Sequence, residues 1–202
     1  MGLNGFEVAP GLAPRTRPLE PTTTTALKIA IVGPLGVGKT TLVGSVSEIS
    51  PLTTEETMSR DAAAVDALGS GSTKTTTTVA MDFGRISLDE RLVLYLFGTP
   101  GQERFWFLWD GLVDGALGAV VLVDVRRLEE SFDVLERLEQ RGSAFIVAAN
   151  GFPDAPVYPV DVLRRALDLP AAVPVLNFDA RSRSSCLDVL VALARHLLTL
   201  AT

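Results

Sequence analysis

Apolar residues gather into short runs separated by polar or glycine-containing breaks: Leu27–Val32, Val79 to about Leu88, Leu92–Phe97, Leu117–Val125, Ala144–Ala149 and Val173–Phe178. Runs of this length bounded by turn residues predict strands, and the near-continuous ones predict strands covered on both faces. Between them, apolar positions recur at helical spacing from Gly38 to about Ile49, over Glu129–Gln140 (Phe132, Leu135, Leu138), over Val160–Leu167 and over Ser184–Leu200. Pro51 ends the first of these helices. The break at Asp89-Glu90 leaves room only for a tight turn, so the strands on either side of it pair as an antiparallel hairpin. Strands alternating with helices elsewhere mean crossover connections. The expected class is α/β, a six-stranded mostly parallel sheet with helices on both faces.

Two stretches fall outside this pattern. Residues 1–26 carry Pro10, Pro14, Pro18 and Pro21 and then a threonine run, with little apolar periodicity, and are expected to form a flexible tail ahead of a single domain at 27–202. The stretch Leu52–Thr77 is rich in Thr, Ser, Ala and Gly, with a helical piece expected at Asp61–Leu68. A loop of that length within a compact domain is either functional or disordered.

Composition narrows the chemistry. With 47% hydrophobic residues the chain can bury a full core, and 202 residues suit one domain. Twenty-four acidic side chains against 18 basic ones give a net charge of −6, with no Lys/Arg cluster, which argues against a nucleic-acid partner. Any polyanion should therefore be small and locally held. The single Cys186 allows no internal disulfide, and no apolar run approaches the roughly 18 residues a membrane span needs, so a cytoplasmic protein without direct membrane insertion is expected. Membrane association, on this reading, would come through a partner.

The most specific chemistry lies at Gly33-Pro34-Leu35-Gly36-Val37-Gly38-Lys39-Thr40, which reads G-x-x-x-x-G-K-[ST] between a strand and a helix. Glycines here let successive backbone N–H groups turn toward one centre at a helix N-terminus, where a phosphate is favoured. Lys39 is placed to bridge β and γ phosphates, Thr40 to give its hydroxyl to Mg²⁺, and Gly33, Leu35, Gly36, Val37, Gly38 and Thr41 to complete the cradle.

Four further pieces follow in order, and the set resembles a Ras-like small GTPase, a P-loop NTPase G domain, over roughly residues 27–200. Thr78, ahead of Val79-Ala80-Met81-Asp82-Phe83, sits where such proteins carry a switch I threonine, which implies a ligand to Mg²⁺ and γ-phosphate. Gly98-Thr99-Pro100-Gly101-Gln102 resembles the switch II signature D-x-x-G-Q, which implies that the Gly101 N–H meets the γ-phosphate and that Gln102 orients the attacking water. Gly98 departs from the pattern, because the family keeps its metal-holding Asp there. Asp82 on the neighbouring strand is the nearest replacement. Asn150 opens a partial N-K-x-D motif in which Gly151 and Pro153 stand for the Lys and Asp, with Asp154 one residue late. Asp179-Ala180-Arg181 resembles the S-A-K loop that touches the base through a backbone N–H.

The departure at Gly98, the proline at 100 and the long first switch are most similar to the Mgl-type and conservon-type bacterial small GTPases. That resemblance implies GTP and GDP as ligands, Mg²⁺ as cofactor, catalysis by Lys39, Gly101 and Gln102, switch segments at 52–78 and 98–113, and a roadblock-fold protein as partner. Leu35, where many relatives keep glycine, implies slow intrinsic hydrolysis. Two alternatives stand beside this reading: a nucleotide-holding scaffold without turnover, and an ATP-using P-loop protein. Phe105, Trp106, Phe107 and Trp109 behind Gln102 serve either as core or as an interface, while Asp114, Asp124 and Asp168 read as ordinary loop and helix-end carboxylates.

Overall fold

The computed structural model describes residues 25–50, 52–59, 76–101 and 106–202, with the backbone alone for 52–59, 76–80 and 106–108. Its centre is β1 (Thr25–Val32), which pairs in parallel with β4 (Leu92–Gly98) on one side and β5 (Gly118–Val123) on the other. Beyond β5 lie β6 (Phe145–Asn150) and β7 (Val175–Phe178), both parallel. Beyond β4 lies β3 (Thr76–Ser87), antiparallel to it across the short Asp89-Glu90 turn, and then β2 (Leu52–Ser59), antiparallel to β3. The sheet order is β2-β3-β4-β1-β5-β6-β7.

Among the described residues all six expected strands are present, and β2 adds a seventh at the edge. Leu52–Ser59 lies within the stretch the sequence assigned to a loop, because its threonines read as low complexity. Threonine is β-branched and suits a pleated edge, and here Thr53, Thr54 and Thr57 face β3 residues across a regular ladder. The helical piece expected at 61–68 lies outside the described residues. So does the tail up to residue 24, although the strand begins at Thr25, two residues before the apolar run, with the Thr25 N–H bonded to the Arg91 carbonyl at 3.0 Å.

Among the described residues five helices cover the sheet. α1 (Lys39–Val46) and α5 (Arg183–Leu200) pack on one face, where Leu42, Val43, Val46, Cys186, Val189 and Leu193 meet Ile29, Ile31, Val120 and Leu122. On the other face α2 (Trp106–Val113), α3 (Phe132–Gln140) and α4 (Val160–Ala166) bring Trp109, Leu135, Leu138 and Leu163 against Ala30, Val32, Val121 and Val147. Successive β1 residues thus serve opposite cores, as the period of two requires. α1 stops three residues short of the expected Ile49. Ser47 turns extended, and the next N–H, from Glu48, leaves the helix for the Arg85 carbonyl at 2.8 Å. The carboxyl ends of β1, β4, β5, β6 and β7 open on one edge, where ligands of such sheets bind.

Candidate functional site

The loop between β1 and α1 takes the conformation its glycines permit, with φ of 140°, 75° and 108° at Gly33, Gly36 and Gly38. Gly38 also caps α1, and a Cβ there would stand 2.6 Å from Asn150 Nδ2, so the loop can close on its neighbour only with glycine. Lys39 curls back inside the loop and donates to the Gly33 and Pro34 carbonyls, both at 2.7 Å. Its ammonium is buried, and burial pushes its pKa down to about 8 against the opposing pull of the Asp82 charge. Leu35 stands out on the rim at 58% exposure, and Thr40 and Thr41 are exposed on the open side of the helix start.

Beside the loop, the Thr40 hydroxyl donates to Asp82 Oδ2 at 2.7 Å. Asp82 is buried on β3 and faces Gly98 across the antiparallel ladder. A Cβ on Gly98 would come within 2.9 Å of Asp82 Cβ and 3.0 Å of its Oδ2. The two positions are therefore coupled: the carboxylate missing from 98 leaves the space that the carboxylate at 82 fills. Gly101 then crosses directly over the phosphate loop, where a Cβ would meet Leu35 N at 2.6 Å and Lys39 Nζ at 2.8 Å. Between them the buried Thr99 hydroxyl finds no partner among the described residues.

The base end is organised by Asn150 at the end of β6. Its Nδ2 donates to the Val37 carbonyl in the phosphate loop at 3.0 Å, and its Oδ1 accepts from the Ala180 N–H at 3.0 Å. One buried amide thus joins three loops. A cavity of about 150 Å³ opens between them, lined among others by Gly38, Thr41, Asn150, Phe152, Ala180 and Arg181. Arg181 lies along Asp179 in a two-bond pair of 2.9 and 2.8 Å, which holds the Asp179 carboxyl below its usual range. Asp154 is exposed.

Not every expected residue meets there. Gln102 lies outside the described residues. Thr78 sits inside β3, paired with Thr57. At about 3.3 Å per residue it stands roughly 13 Å along the strand from Asp82, so this arrangement does not bring it to Thr40. Trp109 is 2% exposed and belongs to the core, where the Arg141 guanidinium lies 5.9 Å from its ring.

Asp124, read from sequence as an ordinary carboxylate, is fully buried at the end of β5. It accepts from the Arg126 N–H, Nε and guanidinium at 3.0, 2.9 and 2.7 Å, and these bonds hold its pKa below the usual carboxylate range. Arg127, beside it, donates to the Leu35 carbonyl at 3.3 Å. The available signal was a charged residue closing a wholly apolar strand, Gly118–Val123.

The residues fit an Mg²⁺ ion of the kind that rides on a phosphate. Among the described residues no three His, Cys, Asp or Glu gather to cage a metal unaided. Mg²⁺ at such sites asks for few protein ligands, commonly one or two oxygens beside substrate phosphates. Thr40 donates its hydroxyl hydrogen bond to Asp82 and so keeps its oxygen lone pairs for a cation, with a carboxylate behind it.

Solved structures place this fold among those of G domains. The chain is similar to the G domain of the T. maritima FeoB iron transporter, with a TM-score of 0.57, 19% identity, and coverage of 88% of this chain and 100% of that one. It is similar also to the FeoB G domain of Methanococcus jannaschii, with a TM-score of 0.57, 17% identity, and coverage of 86% and 99%. At that identity the likeness establishes the fold. In sequence, 117 residues are 27% identical to an uncharacterized protein of Methanocaldococcus jannaschii, covering 57% of this chain and 63% of that relative, less than two thirds of its length. The family model described as conserved hypothetical ATP binding protein matches residues 31–200. That span takes in the phosphate loop, the Asp82–Gly98 pair, Asn150 and the Ala180 loop, and the chain belongs to this family of nucleotide-binding proteins, built on the P-loop G-domain fold.

Proposed function

We propose that the protein is a slow, Mg²⁺-dependent GTP-hydrolysing switch. The observation that carries this reading is the Asn150 amide, which holds the phosphate loop at Val37 and the base loop at Ala180 around one cavity. Phosphates at the N-terminus of α1 and a purine against Ala180 and Arg181 are then parts of a single ligand. Lys39 binds the β and γ phosphates, and Thr40, with Asp82 behind it and Thr78 brought in when the first switch rearranges, holds the metal. When bound, Mg²⁺ neutralises charge on the transferring phosphoryl group. The Gly101 N–H contacts the γ-phosphate and Gln102 orients the water whose oxygen attacks the γ-phosphorus, giving GDP and inorganic phosphate. The segments 52–78 and 98–113 are the parts whose state follows the nucleotide. They present the surface for a protein partner of the Mgl-type or conservon-type relationship, a roadblock-fold protein, and through such a partner the protein reaches a membrane.

A second reading, ATP use, is favoured by one specific feature. Pro153 takes the place of the base-reading carboxylate, and Asp154 stands exposed one residue later. The family's own description points the same way.

The nucleotide that copurifies with the protein separates these readings. Guanine nucleotide, turned over slowly by the wild type and not by Gln102→Ala under a partner's stimulation, is the expected result. Adenine nucleotide would establish the second reading. Guanine nucleotide held without any turnover would make the chain a scaffold.

A further inference from the structure

The segment 151–157 walls the base end, and it is thinly held. Its backbone bonds are Gly151 N–H to the Phe178 carbonyl at 2.8 Å and Ala155 N–H to the Phe152 carbonyl at 3.1 Å. On the nucleotide side lies the cavity of about 150 Å³. On the other side a second cavity, about 230 Å³, is lined by Val125, Ala149, Pro156, Val157 and Asn177 among others. With open space on both sides, packing alone does not fix where Phe152 stands.

Arg126 does. Its guanidinium carbon lies 4.2 Å from the centre of the Phe152 ring. The guanidinium is itself held, because its other edge makes two bonds to the fully buried Asp124 carboxylate at 2.9 and 2.7 Å. A planar guanidinium pinned along one edge and stacked on a ring is the arrangement in which arginine loses least freedom on forming contacts. From the same anchor, Arg127 reaches the Leu35 carbonyl of the phosphate loop. Gly151 contributes no side chain to this wall, although a Cβ there would meet only the Phe178 carbonyl, at an ordinary 3.4 Å.

We propose that Arg126 is a positioning residue for base recognition: clamped to Asp124 and stacked on Phe152, it holds segment 151–154, and with it Asp154, against the purine. The proposal rests on the nucleotide-binding reading above and says which side chain makes the base end competent. Arg126 touches the loop, and acts on the base only through it.

The test is calorimetric titration of the full chain with GDP, ADP and inorganic tripolyphosphate. Arg126→Ala is expected to weaken GDP about tenfold, from the lost stack and the freed loop, and to leave tripolyphosphate within about twofold, since the phosphate end is untouched. Arg126→Lys keeps a cation over Phe152 without the two-bond clamp and should recover part of the loss. Phe152→Leu leaves the Asp124–Arg126 pair intact and should reproduce the loss by itself, and the double variant Arg126→Ala/Phe152→Leu should add little to either. Unchanged GDP affinity in Arg126→Ala and Phe152→Leu overturns the proposal. So does an equal loss of GDP and tripolyphosphate, which marks a general structural role. If wild type binds tripolyphosphate but no nucleotide, the nucleotide-switch reading itself fails, a result distinct from either of those.

Discussion

The two ends of the site are built differently. At the phosphate end the contacts come from backbone shape and from buried groups: glycines at positive φ, Lys39 inside the loop, and Asp82 buried behind Thr40. At the base end the buried Asn150 amide only ties the loops together, and the side chains that flank the cavity lie near the surface: Arg126 over Phe152, Arg181 paired with Asp179, and Asp154 exposed. Buried, preorganised donors hold a charged ligand strongly and without regard to what is attached to it. Exposed groups reading a ring edge discriminate weakly, because water can replace either partner. The molecule should therefore hold nucleotide firmly by its phosphates and choose its base by a modest margin.

The most damaging break is at Lys39. Lys39→Ala removes the ammonium proposed to meet two phosphates and is expected to weaken GTP and ATP alike by about 100-fold, leaving their ratio unchanged. Titration of both nucleotides checks it, and a changed ratio would show that the two ends are not independent.

Asp82→Asn strikes the proposed metal site at the phosphate end. Loss of a carboxylate behind a metal ligand typically costs about 10–100-fold in metal affinity. Mg²⁺-dependent GTP affinity should fall by that order while GDP binding without Mg²⁺ changes little, as fluorescence competition with and without chelator would record. Equal loss in both conditions would make Asp82 a structural residue.

The third handle is pH. Burial holds Lys39 at about 8 in the free protein, below its ordinary 10.5, and a bound phosphate must raise it again. Binding then takes up a proton, so affinity is full below pH 8 and declines above it, at most about tenfold per pH unit. Calorimetry at pH 8.5 in buffers of different ionisation enthalpy should show proton uptake, absent in Lys39→Ala. For folding the same shift has the opposite sense. The cost of burying the charged lysine is present below pH 8 and is relieved as pH rises from 8 toward 10.5. The smallest effect is expected at Asp154. Asp154→Ala should narrow the GTP preference over ATP only about threefold, in keeping with an exposed partner.

Much of this was legible in the chain. The phosphate loop has its chemistry in consecutive residues, so motif and place coincide, and the strands announce themselves as apolar runs because the parallel part of the sheet is covered on both faces. Gly98 pointed to Asp82 because a missing carboxylate asks for a replacement, and hairpin register brings the two positions opposite each other. β2 stayed hidden because an edge strand of threonine and glutamate has no apolar signature. Asp124 and Arg126 were illegible for another reason. A carboxylate at a strand end is ordinarily solvated, and only the fold reveals that this one is fully buried beneath an arginine that also meets a loop 26 residues further on, at Phe152.

The contrast between the two ends is tested most directly by one competition series against a fluorescent guanine diphosphate, with GDP, ADP and tripolyphosphate as competitors at pH 7 and fixed Mg²⁺. GDP is expected to lead ADP by about tenfold, far from the 10⁴–10⁵ of a fully paired buried polar match, with tripolyphosphate retaining measurable competition of its own. ADP equal to or better than GDP, or a GDP lead of several thousandfold with tripolyphosphate inert, would contradict an account in which the phosphates carry the affinity and the base only a modest choice.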